Sequence, residues 1–334
     1  MKYILLALTL AGSLTVSAKN LTVMQYNAEN FFDTKHDSGT KDFTYLPLEV
    51  KKSLPGHEEE CDLMTGYYRK QCKYLDWNEA RFTKKIINLS KVIKSFDKSG
   101  RGPDIVFLQE VENANVLNKL RTKGLDKLGY RYQVLIEGDD SRGIDVGLIS
   151  KYPVISSRHH SLIINGTKLD TRGILEVALN VSGKKVVVFI NHWPSQNNPA
   201  EERAASAKLL SQLADNVSGD LIMATGDFNT LETDSPYSFD YLQNFVDAET
   251  EARKSGVLLN PGTHYYRGEW SSLDRIFIHK NSVLKPDFSK FNIMIHPFMM
   301  ETDVRTGDEI PMRSDAETGY GYSDHLPLTL EFAL

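Results

Sequence analysis

The sequence predicts an α/β fold, and three observations carry that prediction. Short apolar runs that stop at polar residues recur at 21–27, 104–108, 146–150, 186–190 and 221–224, as buried strands do. Segments with apolar residues at helical spacing lie between several of them. No internal repeat or linker-like shift in composition divides the chain, so one domain is the simpler organisation for its 334 residues.

The first 18 residues read as an export signal: Lys2 gives the positive start, 4–10 the apolar region, and Val16-Ser17-Ala18 a small-residue cleavage site. The mature chain is then expected to begin near Lys19. No cysteine stands at the cleavage point to carry a lipid, and no later run approaches the roughly 20 apolar residues that cross a membrane. A soluble monomer, secreted or periplasmic, is the expectation. The formal charge of −5 excludes a general basic surface and hence a protein that coats nucleic acid. An enzyme can still hold phosphates with a divalent ion and a few local cations. Cys61 and Cys72 are the only cysteines, and a pair closing a short loop in an exported chain is expected to form a disulfide.

In chain order, the strand 21–27 ends in Asn27, with Glu29 and Asn30 following. Over 33–76 periodicity is lost, and the segment, with Glu58-Glu59-Glu60 and Tyr67-Tyr68-Arg69-Lys70, is either a functional rim or a variable surface insertion stapled by the disulfide. Asp76 and Glu79 resemble a capping box ahead of Phe82, Ile86, Leu89, Ile93 and Phe96, one amphipathic helix whose lysines, Lys85 among them, should face solvent. The buried strand 104–108 leads into Gln109-Glu110. A carboxylate emerging from a buried strand costs desolvation unless it is paired, so Glu110 calls for a cation.

A second helix over 112–127 and a strand over 130–136 precede Arg142 and Asp145, beside the strand 146–150. The planar fork of Arg142 suits a phosphate or an ion pair with Asp139, Asp140 or Asp145, and Arg172 has the same two readings. After the Ser182-Gly183 turn, the strand 186–190 stops at Asn191-His192-Trp193. A helix over 200–213 returns the chain to 221–224 and Gly226-Asp227-Phe228-Asn229, where pleating aims Asp227 and Asn229 to one side and Phe228 to the other. Beyond it, 237–256 looks helical, and 262–270 is a loop carrying His264, Tyr265, Tyr266, Arg267 and Trp270. Those side chains either stack on bases or sugars or simply pack the loop. Asp274 opens a further strand, the run 293–300 is core or an exposed apolar rim, and Ser323-Asp324-His325 follows near the end.

These motifs, in this order, resemble the endonuclease/exonuclease/phosphatase superfamily, the metal-dependent fold of pancreatic deoxyribonuclease and apurinic endonuclease. The resemblance covers nearly all of the mature chain, 19–334. It implies a four-layer αββα sandwich of two packed mixed β-sheets flanked by helices, with the active site at one end of the sheets. It further implies that Glu110 binds the essential divalent ion with Asn27 beside it and Asp324 joining. His325, held by Asp274, would act on the attacking water, Asp227 and Asn229 would orient water or phosphate, and His192 would serve a phosphate oxygen or the leaving group. Asn191, Arg142 and Arg172 are the expected phosphate donors. Arg142 stands where some relatives place a tyrosine, and Arg172 matches only by its place before the His192 strand.

Oxygen ligands without a Cys/His cluster point to Mg²⁺ or Mn²⁺ rather than zinc. The expected activity is phosphodiester hydrolysis of DNA, with RNA as a second nucleic-acid substrate. Hydrolysis of a phospholipid, as by a sphingomyelinase, or of a small phosphoester on the same site is the alternative. A non-catalytic binding module would be expected to have lost Glu110, Asp227 or His325, and all three are present.

Overall fold

The computed structural model describes residues 20–334, so the expected export signal lies outside the described residues. Its strands in chain order are β1 (Asn20–Phe31), β2 (Ile105–Val111), β3 (Tyr132–Leu135), β4 (Asp145–Ser150), β5 (Val154–His160), β6 (Ile163–Ile164), β7 (Thr167–Lys168), β8 (Ile174–Val181) and β9 (Lys184–His192). There follow β10 (Leu221–Asp227), β11 (Phe245–Asp247), β12 (His264–Tyr266), β13 (Glu269–Ser271), β14 (Asp274–His279), β15 (Pro286–Ile293), β16 (Met300–Thr302), β17 (Glu309–Pro311) and β18 (Leu328–Ala333). Twelve of them form two six-stranded sheets, ordered β15-β18-β1-β2-β4-β3 and β11-β14-β10-β9-β8-β5. Both are mixed: β1 runs parallel to β2 and antiparallel to β18, and β10 runs parallel to β9 and antiparallel to β14.

Pleating explains how the layers assemble. In β9, Val186, Val188 and Ile190 join the core between the sheets, whereas Val187 and Phe189 point outward to the helix Ala200–Asp215. Leu221 and Met223 of β10 likewise face inward, with Ile222, Ala224 and then Phe228 outward. A strand buried on both faces reads as a continuous apolar run, which is how these two appear in the sequence. The helix Glu79–Lys94 lays Phe82, Ile86, Leu89 and Ile93 on the first sheet, which completes the four layers.

Several local expectations are corrected. Asn78 caps the helix Glu79–Lys94, accepting from the amides of Ala80 and Arg81, while Asp76 accepts instead from Leu48 N at 3.0 Å. Lys85 is not on a solvated face: it is buried, and its Nζ donates to the Tyr322 carbonyl at 3.1 Å. The expected helix over 112–127 is the shorter Ala114–Lys119 followed by a wider π turn at Leu120–Gly124. The helical look of 237–256 resolves into a 3₁₀ turn, β11 and the helix Ala248–Lys254. The loop over 262–270 is largely the β12–β13 hairpin. In the run 293–300, Ile293, Met294 and Met299 are core.

The insertion is not a loop. It folds into short helices at Leu48–Ser53, His57–Leu63 and Gly66–Tyr74, with Cys61 and Cys72 joined as expected, Cα atoms 5.5 Å apart. Periodicity was absent because helices this short bury only a residue or two each.

Candidate active site

The two sheets end at the same side of the sandwich, and the register there decides which side chains meet. Asp227, the last residue of β10, stands opposite His192 of β9 on one flank and Asp274 of β14 on the other. In the first sheet Asn27 stands opposite Gln109, and both β1–β2 and β2–β4 shift register just beyond. Bulges of this kind re-aim side chains beside active sites. Glu29, Asn30, Glu110 and Asn229 all adopt left-handed backbone, with φ of 49°, 58°, 57° and 46°, a strained setting that the surrounding structure must hold in place. Gly226 has φ of 142°, and a Cβ there would overlap the Asn191 carbonyl, so no other residue fits this close approach of β10 to β9.

One continuous polar group results. The Asn27 amide nitrogen donates to Glu110 Oε1 at 3.2 Å and to Asp227 Oδ2 at 3.1 Å, tying one sheet to the other. Asn30 N fixes Glu110 Oε2 at 2.9 Å, and Asn229 N fixes Asp227 Oδ1 at 2.9 Å. His192 Nε2 lies 4.0 Å from Glu110 Oε1 and 3.7 Å from Asp227 Oδ2. His325 Nδ1 meets Asp274 Oδ2 at 2.7 Å, which leaves Nε2 facing the cleft, 3.8 Å from Asp227 Oδ2 and 3.9 Å from Asp324 Oδ1.

The electrostatics follow from burial and neighbours. Burial, helped by Asp274 and Glu110 against the pull of His325, raises Asp227 to about 7. Burial opposes charge on His325, but Asp274, Asp227 and Asp324 outweigh it and raise its pKa well above the histidine range. Burial, Arg172 and Arg142 push His192 well below that range, so it stays neutral at physiological pH. Burial alone would raise Asp324, yet His325 and Arg313 outweigh it and hold its carboxyl below the ordinary value.

The donor set fits a hard divalent cation. Glu110 and Asp227 bring two carboxylates together, oxygen ligands of the kind that suit Mg²⁺ or Mn²⁺, whereas Asn27, expected as a ligand, turns its nitrogen to them and accepts with its oxygen from Glu29 N at 3.0 Å. Asp324 is shared differently: its Oδ2 pairs with the Arg313 guanidinium at 3.0 Å, and Oδ1 faces His325.

The expected phosphate donors divide. Asn191 turns away from the cleft: its amide donates to the Phe189 carbonyl at 2.8 Å and accepts from Trp193 Nε1 at 3.0 Å. Pleating requires this, because Asn191 and His192 are adjacent on one strand and cannot share a face. Arg172 is buried behind the site, where it donates to the carbonyls of His192 and Trp193 and pairs with Asp140 at 3.0 Å. It fixes the backbone that carries His192, and none of its nitrogens is left for a phosphate. Arg142 takes its ion-pair reading, with Asp140 at 2.8 Å, but its side chain is 57% exposed. The Asn229 amide donates to the Trp193 carbonyl at 3.1 Å.

Sequence reasoning missed the support beneath these groups. Gln25 Nε2 donates to Asp274 Oδ1 and to Gln109 Oε1, each at 2.7 Å, so two buried glutamines hold the partner of His325. The signal was present: Gln25 is two residues before Asn27, hence on the same face of β1, and a buried polar side chain there needs a reason. Glu29, buried on the other side, accepts from Arg313 Nε, Ser314 N and Asp324 N, and so clamps the segment that presents Asp324 and His325.

Fold and site together define a metal-dependent phosphoester hydrolase. The chain belongs to the endonuclease/exonuclease/phosphatase family, which it matches over residues 58–333, and the enzymes of that family use divalent metals. Solved structures share the fold. They include TDP2 of D. rerio complexed with single strand DNA product (15% identity, 94% of this chain and 99% of that one, TM-score 0.52). Sphingomyelinase C of Streptomyces griseocarneus is similar at 16% identity over 94% of this chain and 99% of that one, TM-score 0.52. The beta toxin of Staphylococcus aureus with bound magnesium ions is similar at 16% identity over 93% and 99%, TM-score 0.52. No curated protein matches the chain.

Proposed function

We propose that the protein is an exported nuclease that hydrolyses phosphodiester bonds of DNA, with RNA as a second nucleic-acid substrate, acting as a monomer with Mg²⁺ or Mn²⁺. The observation that carries this reading is the Asp274–His325 pair facing the Asn27–Glu110–Asp227 group across the cleft. Its parts match the needs of the reaction. Glu110 and Asp227 would hold the divalent ion, with the Asn27 amide beside them positioning both carboxylates, and the ion when bound offsets the negative charge that grows on the phosphoryl oxygens. The carboxylates that raise the His325 pKa would have their charge offset by a divalent ion held beside them, which would leave Nε2 able to take the proton of the attacking water, while Asp274 fixes the ring orientation and stabilises the charge that forms. Asp227 and Asn229 keep the water and phosphate in line with that nitrogen. Neutral His192 donates to a phosphoryl oxygen or to the departing oxygen, its backbone locked by Arg172.

The second reading keeps this chemistry and changes the substrate to a phospholipid, as the fold of sphingomyelinase C allows. It calls for an apolar edge, and the run 293–300 was its candidate. Ile293, Met294 and Met299 are taken up in the core and Phe298 and Met300 pack against it, which leaves Ile295 and Pro297 as the exposed apolar residues of the run, a small edge that favours the nuclease. Export is supported by the Cys61–Cys72 disulfide, which persists in oxidising compartments, and among the described residues no helix is long and apolar enough to cross a membrane.

The test is an assay of purified protein with Mg²⁺, Mn²⁺ or EDTA on plasmid DNA, RNA, sphingomyelin vesicles and inositol phosphates. DNA should be cut with either metal and spared in EDTA. Intact DNA beside hydrolysed sphingomyelin would sink the nuclease reading.

A further inference from the structure

The chemistry above makes no use of the β12–β13 hairpin, which nonetheless touches the catalytic histidine. Its pairs are His264 with Ser271, Tyr265 with Trp270, and Tyr266 with Glu269. Arg267 and Gly268 form the two-residue turn, both at positive φ (53° and 94°), the geometry that keeps a tight hairpin in register. Because side chains alternate along a strand, His264 and Tyr266 share one face and Tyr265 takes the other.

The Tyr265 face is anchored. Its ring meets Trp270 edge-on with centroids 5.4 Å apart, and its hydroxyl donates to Asp308 Oδ2 at 2.5 Å, in the turn between β16 and β17. The opposite face is joined to the active site. His264 pairs with His325 through an isolated β-bridge, and Leu326 N donates to the Thr263 carbonyl at 2.8 Å. The His264 and His325 rings lie 4.8 Å apart, the Tyr266 ring follows 6.4 Å from His264 and nearly parallel to it, and the Arg267 guanidinium sits 5.1 Å from the Tyr266 ring. A row of rings therefore runs from the catalytic histidine outward and ends in a cation. The outer end of the row is open to solvent, with Tyr266 58% exposed.

We propose that this face of the hairpin, His264, Tyr266 and Arg267, is a subsite on which an unpaired nucleobase next to the scissile phosphate stacks, with Arg267 beside the neighbouring backbone phosphate. The inference rests on the nuclease reading and sharpens its substrate to single-stranded or locally opened nucleic acid. Every base offers a π face to an aromatic side chain, whereas a base inside a duplex already has both faces covered. The guanidinium adds charge for the phosphate and a cation for the base.

The experiment compares kcat/KM in Mg²⁺ for a single-stranded oligonucleotide and for a strand of equal length built from baseless tetrahydrofuran nucleotides. Wild type should prefer the base-bearing strand by about 5- to 150-fold, the span expected from stacking one base. Tyr266→Ala should erase that preference by losing rate on the base-bearing strand, Tyr266→Phe should keep it, and melting temperatures of both variants should match wild type. Wild type that cuts both strands equally, or Tyr266→Ala that retains the preference, overturns the subsite while leaving the nuclease reading intact. Failure of wild type to cut any nucleic acid, with sphingomyelin vesicles hydrolysed, overturns both.

Discussion

The catalytic cleft and the disulfide-stapled insertion bury polar groups in opposite ways. In the cleft the side chains that join the two sheets find partners far along the chain: Asn27 meets Asp227 across 200 residues, and Gln25 meets Asp274 across 249. In the helical part of the insertion, 43–76, the buried partners are close by. Lys51, buried, donates to the carbonyls of Thr44, Cys72 and Leu75, each at 2.8 Å, and the small core is made of Phe43, Leu46 and the two bridged cysteines. The cleft is therefore a property of two whole sheets, whereas the insertion holds itself together. Chemistry and local stability should separate on mutation.

The largest effect should fall on chemistry alone. If His325 is the proton-transfer group proposed above, His325→Ala should lower kcat on DNA by about 10²- to 10⁴-fold. Because it also frees the buried Asp274, which keeps Gln25 as a donor, the fold should survive and calorimetry should still show one cooperative transition. A variant that keeps wild-type turnover would remove His325 from the reaction and break the contrast on the cleft side.

Next in size is the reverse separation. Cys61→Ser with Cys72→Ser opens a loop with a sequence separation of 11 and should destabilise the insertion by about 3 kcal/mol in the chain-entropy account. Hydrogen exchange should report that loss in residues 43–76, with turnover on a short diester unchanged. Parallel loss of turnover would mean that the insertion is part of the cleft after all.

A third effect, read only as a slope against pH, concerns the wall behind Arg172. Asp145 is buried and accepts from Gly138 N at 2.8 Å; burial first, with Glu137 and Asp140 adding, raises it to about 8. Its folded pKa lies above its unfolded one, so between about 4 and 8 the native state keeps a proton that the unfolded chain has released. Stability contributed here is present at low pH and is lost as pH rises through that window. Asp145→Asn should flatten the fall in melting temperature between pH 5 and 8, and an unaltered slope would assign the titration elsewhere.

Much of the site could be read from the chain because its residues sit where apolar runs stop, and strand ends are easy to see. Asn27, Glu110, His192, Asp227, Asp274 and His325 do converge. Asn191 and Arg172 looked the same in the sequence and serve the backbone instead, because an amide or guanidinium near a strand end finds carbonyls as readily as phosphates. For Asn191 the pleat already held the answer. For Arg172 it did not, since Asp140 and the His192 carbonyl reach it only through tertiary packing. The insertion failed for a different reason: its helices have six, seven and nine residues, too few for a periodic apolar stripe to show.

By itself the sequence determined the α/β class, the central strands and the two long helices, and the residue types of a metal-dependent hydrolytic site, because pleat and helix periodicity are local and the central strands stop at polar residues. Tertiary structure alone decided which of those polar residues share one cleft, that Gln25 and Glu29 stand beneath them, and that a hairpin from 264–271 lies against His325. The reason is physical: a buried polar group takes whatever partner packing brings within about 3 Å, and packing joins residues hundreds of positions apart.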